Sequence, residues 1–217
     1  FANALKTWDQ FLELDTNNAA AWSNRGNVRL ILGNPDGAID DQTIAINLLP
    51  NESDPHLNRG IAEEALQRWD EAENDYVWIL DRNPKNSEAL YNLGNLKVAQ
   101  EKWSKAEALF TQASLSSPSF VMARSSKALM EYQLGKLDQT ENELRSIIRR
   151  YPMYADARAA LTAIVWRKGL LGEAESNWAA ATGLDSRYSD KDWLLTVRHW
   201  PPQPINDLMA FLALKSP

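Results

Sequence analysis

The 217-residue sequence contains no cysteine. That removes disulfides, thiolate metal sites and a thiol nucleophile, and it leaves the compartment open. Histidine is almost as scarce: His56 and His199 are the whole supply, too few for an imidazole metal cluster. Apolar runs are short, and none approaches the roughly 20 residues that a membrane-crossing helix needs. There is no glycine-rich phosphate loop, no metal-ligand spacing and no nucleophile elbow. The acidic pairs Asp40-Asp41, Glu63-Glu64 and Asp70-Glu71 are expected on solvated helix faces, because adjacent helical residues point about 100° apart and cannot act as a dyad. These absences exclude the common catalytic classes and predict a chain without enzyme activity, cofactor or metal.

Basic residues are scarce in the first half. Residues 1–118 carry 10 basic and 18 acidic side chains, residues 119–217 carry 13 and 11, and the formal net charge is −6. An acidic first half argues against nucleic acid as a partner, since that affinity rests on neutralising phosphates. The chain opens at Phe1, without an initiator Met and inside a helical pattern. The expectation is a fragment or a processed form.

What is present is a repeat. Asn24-Arg25-Gly26-Asn27 recurs as Asn58-Arg59-Gly60 and as Asn92-Leu93-Gly94-Asn95, a step of 34 residues. The small column continues through Ala128 and Thr162. Other columns keep the same step: Ala38, Ala72, Ala106, Thr140, Ala174; then Ala45, Ile79, Ala113, Ile147, Ala181; then Pro50, Pro84, Pro118, Pro152, fading at Ser186; and the large residues Trp69, Trp103, Leu137, Leu171. Each unit reads as two helices, for example Pro55–Arg68 and Asp70–Arg82, joined by a polar turn. Small residues let the paired helices approach, bulky ones such as Tyr76, Trp78, Leu90 and Phe110 fill the remaining space, and proline ends each second helix. Helix pairs this short bury their apolar faces only by stacking on their neighbours.

The step, the Asn-Arg-Gly helix and the Ala-x-x-x-aromatic halves Ala72–Tyr76 and Ala106–Phe110 resemble the tetratricopeptide repeat family. The resemblance implies an all-α, right-handed superhelical solenoid of helix-turn-helix repeats. Residues 1–188 are read as the array: a half unit, in which Ala4, Trp8, Phe11 and Thr16 precede Ala38, Gln42, Ala45 and Pro50 by one step, then five units beginning near Ala19, Ser53, Ser87, Val121 and Ala155. Residues 189–217 are read as capping or docking helices. One is expected over Asp190–Trp200, with Trp193, Leu194, Val197 and Trp200 on one side. Pro201-Pro202-Gln203-Pro204 is expected to break it, and Ile205–Leu214 to form a second helix capped by Asn206. Trp193, Trp200 and Phe211 are the docking candidates of this tail. The Trp-Pro-Pro segment with its apolar helix also resembles the ends of tetratricopeptide proteins in cyanobacteria and chloroplasts, which would imply a plastid or thylakoid-associated setting.

By the family resemblance, stacked first helices line a concave groove that binds a protein partner. Helical spacing puts Asn24, Asn27, Asp54, Asn58, Glu88, Tyr91, Asn92 and Asn95 on that face, continuing through Ser125, Leu129, Asp156, Ala160 and Ala163. Asn24, Asn58 and Asn92 form a ladder, and an amide that both donates and accepts can hold a peptide backbone without reading its side chains. The lysine/arginine clamp with which some family members grip acidic chaperone C-termini is missing, since Ser23, Glu88 and Asn92 stand in its place. Asp54, Glu88 and Asp156 favour an extended neutral or basic segment. The expected function is a scaffold, adaptor or assembly factor, with a structural or self-associating subunit as the alternative. His56 is expected to be a packed or capping residue.

Overall fold

The fold is that of a computed structural model, which describes residues 1–214. Its helices run in order as α1 (Ala2–Leu14), α2 (Ala19–Ile31), α3 (Pro35–Leu48), α4 (Ser53–Ala65), α5 (Trp69–Arg82), α6 (Ser87–Ala99), α7 (Trp103–Ser116), α8 (Val121–Gln133), α9 (Leu137–Arg150), α10 (Ala155–Arg167), α11 (Leu171–Leu184), α12 (Lys191–Thr196) and α13 (Pro202–Ala213), with a 3-10 turn at Ser186–Ser189 between α11 and α12. No strand occurs among the described residues. The architecture is an all-α repeat solenoid built of helical hairpins. It divides into two compact units, Phe1–Leu96 and Lys97–Pro217.

The hairpin turns have a common cause. Gly33, Gln67, Glu101, Gly135 and Gly169 follow one another at the repeat step, and each has positive φ, from 55° to 79°. This left-handed residue lets the next amide reach back to close the helix, as Asn34 N–H does to Arg29 O (2.9 Å) and Lys136 N–H to Glu131 O (2.8 Å). Glycine takes this conformation freely, whereas Gln67 and Glu101 hold it at a steric cost. In the second repeat Gln67 therefore stops the first helix at Ala65 rather than Arg68; that helix starts at Ser53 rather than Pro55, and the second at Trp69 rather than Asp70. Pro50, Pro84, Pro118 and Pro152 each stand two residues past the end of a second helix.

Close approach explains the small column. A Cβ on Gly60 would lie 2.6 Å from Cε1 of Tyr76, and one on Gly26 would lie 2.8 Å from Nε2 of Gln42. Tyr76 is fully buried, with Ala72 one turn before it and Ile79 one turn after it on the same buried face of α5. In the second unit the core gathers Leu129, Met130, Leu144, Ile147 and Ile164.

The tail departs from the sequence expectation in three ways. Its first helix is short, because Trp200 N–H returns to Leu194 O (2.9 Å) and His199 takes φ 53°. Val197 is consequently 57% exposed, while Leu194 and Trp200 are fully buried. The prolines do not separate two helices. Pro202 begins α13, where its missing N–H costs nothing and its fixed φ suits the first turn. Asn206 therefore lies inside α13 and is not its cap.

Gly60→Leu is expected to destabilise the protein by about 1–3 kcal/mol, because the side chain must displace the Tyr76 ring. Thermal melting followed by circular dichroism checks it, and an unchanged midpoint contradicts this packing.

Candidate functional site

Within the first unit, α2 packs against α3 and α4, and α4 against α5. The first helices leave one face uncovered by these second helices, and the expected partner residues map onto it unevenly. Asn24, Asp54 and Glu88 are exposed, whereas Asn58, Tyr91, Asn92 and Asn95 are half-buried. Nδ2 of Asn58 donates to Oγ of Ser23 at 3.3 Å, which ties α4 to α2. Asn27 serves the helix pair: its side-chain oxygen accepts from Nε2 of Gln42 at 3.0 Å, and the same Gln42 nitrogen donates to Ser23 O at 2.9 Å. The ladder is thus one exposed amide followed by two half-buried ones. Between the N-terminal turns of α2 and α4 lies a concavity of about 230 Å³, lined by Ala19, Ala20, Ser23, Asn24, Leu49, Glu52, Asp54 and Pro55.

Behind that face runs a buried ionic layer that the sequence reading missed. Asp41, expected on a solvated face, is 1% exposed and accepts a two-pronged ion pair from Arg25 (2.7 and 2.9 Å) and a third bond from Arg29 (2.8 Å). One step later Arg59 makes the same fork to Asp75 at 2.8 Å, and Nδ1 of His56 joins the carboxylate at 2.6 Å. The His56 ring stacks on Trp78 at 3.7 Å, and Arg82 lies 3.7 Å from the centre of that indole. His56 is thus a packed, partnered histidine. The signal was available: an Arg and an Asp 16 residues apart recur at the repeat step as Arg25/Asp41 and Arg59/Asp75.

Glu63 and Glu64 also leave the expected solvated face. Glu63 is 7% exposed, and its Oε2 has no hydrogen-bond partner. Burial, with Asp75 adding repulsion, pushes its carboxyl up to about 7. Glu64 is likewise pushed up to about 7 by burial, although its bond from the Tyr76 hydroxyl (2.6 Å) works the other way. Asp70 and Glu71 are exposed, as expected.

In the second unit the corresponding face is covered by the chain's own tail. α13 packs on α10 and α8. Ser125, Leu129, Ala160 and Ala163, expected to line an open groove, are buried. Asp156 is 2% exposed and collects donors from every side: Ser125 Oγ (2.5 Å), Tyr188 OH (3.1 Å), Arg198 (2.9 Å) and the Trp200 indole N–H (3.0 Å). Burial opposes the Arg198 charge, but Asp156 more than compensates and holds the guanidinium above its ordinary range. Asp207 on α13 accepts from Tyr132 OH (2.8 Å) and Arg167 (3.1 Å), and Gln203 N–H donates to Gln133 Oε1 (2.8 Å). Asp156 therefore organises the tail and faces no groove. Trp200 and Phe211 are fully buried, the latter edge-on to Trp178, so neither offers a docking surface in this fold. Trp193 stays half-exposed against Tyr188 and Arg187.

Among the described residues no group of three or more His, Asp or Glu is placed to hold a metal ion, and no helix is long and apolar enough to cross a membrane.

A tetratricopeptide repeat model matches residues 1–52, 57–113 and 91–139. The chain belongs to the tetratricopeptide repeat family. Solved structures agree with that fold. The chain is similar to PilF of Pseudomonas aeruginosa at 16% identity and a TM-score of 0.72, covering 91% of this chain and 89% of that one. It is similar to yeast Tom70 at 18% identity and a TM-score of 0.72, covering 97% of this chain but 43% of that one. It is similar at 17% identity and a TM-score of 0.60 to YrrB, described as a tetratricopeptide protein with an unusual peptide-binding site, covering 82% and 92% of the two chains. No curated protein matches the chain in sequence.

The buried acids of this tetratricopeptide unit give a pH prediction. A carboxyl whose pKa rises from 4.5 to about 7 on folding is protonated in the folded state while the unfolded chain has already ionised. Its stabilising contribution is present below about 4.5 and is lost as pH rises through about 7. Glu63→Gln is therefore expected to gain on the parent protein between those limits, by roughly 1–3 kcal/mol. Urea unfolding at pH 5 and pH 8 checks it, and an equal difference at both contradicts it.

Proposed function

We propose that this protein is a non-catalytic interaction module, an adaptor or assembly factor, whose first unit binds an extended segment of a partner protein across the uncovered face of α2, α4 and the start of α6. One observation carries the reading: the two units differ in what lies on their first helices. In the second unit α13 occupies that surface. In the first, Asn24, Asp54 and Glu88 stand exposed over the half-buried Asn58 and Asn92. A surface of this kind already holds one segment of chain, and YrrB, a protein of the same fold, is described as having a peptide-binding site.

The face has exposed carboxylates, and the two arginines beside it, Arg25 and Arg59, are spent on Asp41 and Asp75. That chemistry disfavours an acidic chaperone C-terminus and nucleic acid, and it suits a neutral or basic segment. A structural, self-associating role is the second reading, favoured by Phe11 (41% exposed) and Leu14 (90%) on α1. A plastid or thylakoid-associated setting rests on the tail motif alone.

If the asparagines hold a partner's backbone, each lost bond leaves a desolvated peptide group unpaired, at about 1–3 kcal/mol per site. Asn24→Ala, Asn58→Ala and Asn92→Ala together are expected to abolish peptide capture while keeping helical content, since alanine is the better helix former. Isothermal titration against the captured partner segment, with circular dichroism as control, checks it. Equal affinity of parent and variant moves the site elsewhere.

A further inference from the structure

We infer that the concavity between α2 and α4 is a socket for a lysine or arginine side chain of the bound segment, an inference that rests on the first-helix face of unit 1 being the partner-binding face. The walls divide by chemistry. Ala19, Ala20, Leu49 and Pro55 give it an apolar lining, with Leu49 50% exposed at its edge. Glu52 and Asp54 stand on its rim, both exposed, beside the exposed amide of Asn24. At about 230 Å³ the space accommodates one long side chain and no folded element.

The charge balance selects which side chain. Unit 1 carries 7 basic against 16 acidic residues. Four of those bases are engaged within the unit: Arg25 and Arg29 with Asp41, Arg59 with Asp75, and Arg68 with Asp36. Glu52 and Asp54, by contrast, have no hydrogen bond or ion pair through their carboxylates among the described residues. Glu52 caps α4 without a side-chain cap bond, and Asp54 stands exposed in its first turn. An alkyl stem ending in a cation matches both parts: the methylenes cover the apolar lining and the charge meets two carboxylates at the mouth. Asn24, at the edge of the same space, is positioned to take the backbone of the residue that inserts.

The test uses blocked, flexible alanine–serine heptapeptides that differ only at the central residue, titrated into the full chain labelled for amide NMR. Lysine and arginine peptides are expected to shift the amides of Ala19–Asn24 and Leu49–Asp54. Norleucine, which keeps the stem and loses the charge, is expected to bind about tenfold more weakly, a difference of about 1.4 kcal/mol. In the variant Glu52→Gln/Asp54→Asn, which preserves shape, that preference should vanish. Equal binding of lysine and norleucine peptides, with shifts at Asn58 and Asn92, overturns the socket and leaves the peptide-binding face standing. Shifts at none of these positions overturn both. A lysine preference that survives the double substitution also overturns the socket.

Discussion

A carboxylate buried between helices must be surrounded by donors, because an uncompensated buried charge costs more than any single apolar contact returns. That constraint arranges this molecule. Asp41 and Asp75 lie on second helices of the first unit, 1% and 3% exposed, and each is met by the arginine of its own first helix. Asp156 lies on a first helix of the second unit, and no arginine of the repeats reaches it. Its donors come from Ser125 and from the tail: Tyr188, Arg198 and Trp200. Delivering them requires the short α12 and the left-handed turn at His199, and the chain then continues into α13 across α8 and α10. The same physical requirement therefore closes hairpins in one unit and folds a tail over the first helices of the other.

The contrast between the units carries the functional argument. The first-helix face of the second unit is occupied by Ile205, Leu208 and Phe211, all buried, with Asp207 bonded to Tyr132 and Arg167. There the buried apolar side chains of α13 pack on α8 and α10, and its one carboxylate is met by donors from those first helices. The first unit offers the same surface uncovered, with a more acidic character. Arg25, Arg29 and Arg59 are turned inward to Asp41 and Asp75, so the charge on this face is carried by residues such as Asp54 and Glu88. Because the buried forks use Arg25 and Arg59 side chains that stand next to Asn24 and Asn58, the ionic layer also fixes α2 and α4, which carry two of the three ladder asparagines.

The 34-residue step is legible in the sequence, because its columns of small residues and prolines answer to local packing needs. Helices begin at Ala19, Ser53, Ser87, Val121 and Ala155, where the columns place them. The glycine column at 26 and 60 and the prolines after each second helix follow from sterics that any tetratricopeptide pair shares. The left-handed turn column was only half visible, since Gln67 and Glu101 interrupt its glycines. Composition places carboxylates in water, which misplaces Asp41, Glu63 and Asp156: the 16-residue Arg/Asp spacing could have flagged Asp41, the donors of Asp156 come together only in three dimensions, and Glu63 is buried with one oxygen unpaired. The tail was the least legible part. It lies outside the repeat register, so nothing in the sequence told Pro202 the helix starter from Pro202 the helix breaker, or Asp156 the anchor from Asp156 the groove residue. Of the expected site, Asn24, Asp54 and Glu88 are exposed, while Asn27 is drawn into pairing with Gln42.

The most direct test of this account is hydrogen exchange, followed by mass spectrometry, of the parent protein and Asp156→Ala. Removing the carboxylate strands Tyr188, Arg198 and Trp200 in a buried pocket, a loss of about 3–5 kcal/mol. Residues 186–213 and the first-helix face of α8 and α10 are expected to exchange much faster in the variant, while α2 to α5 keep their protection. Unchanged protection of α13 in a variant that lacks Asp156 would contradict it.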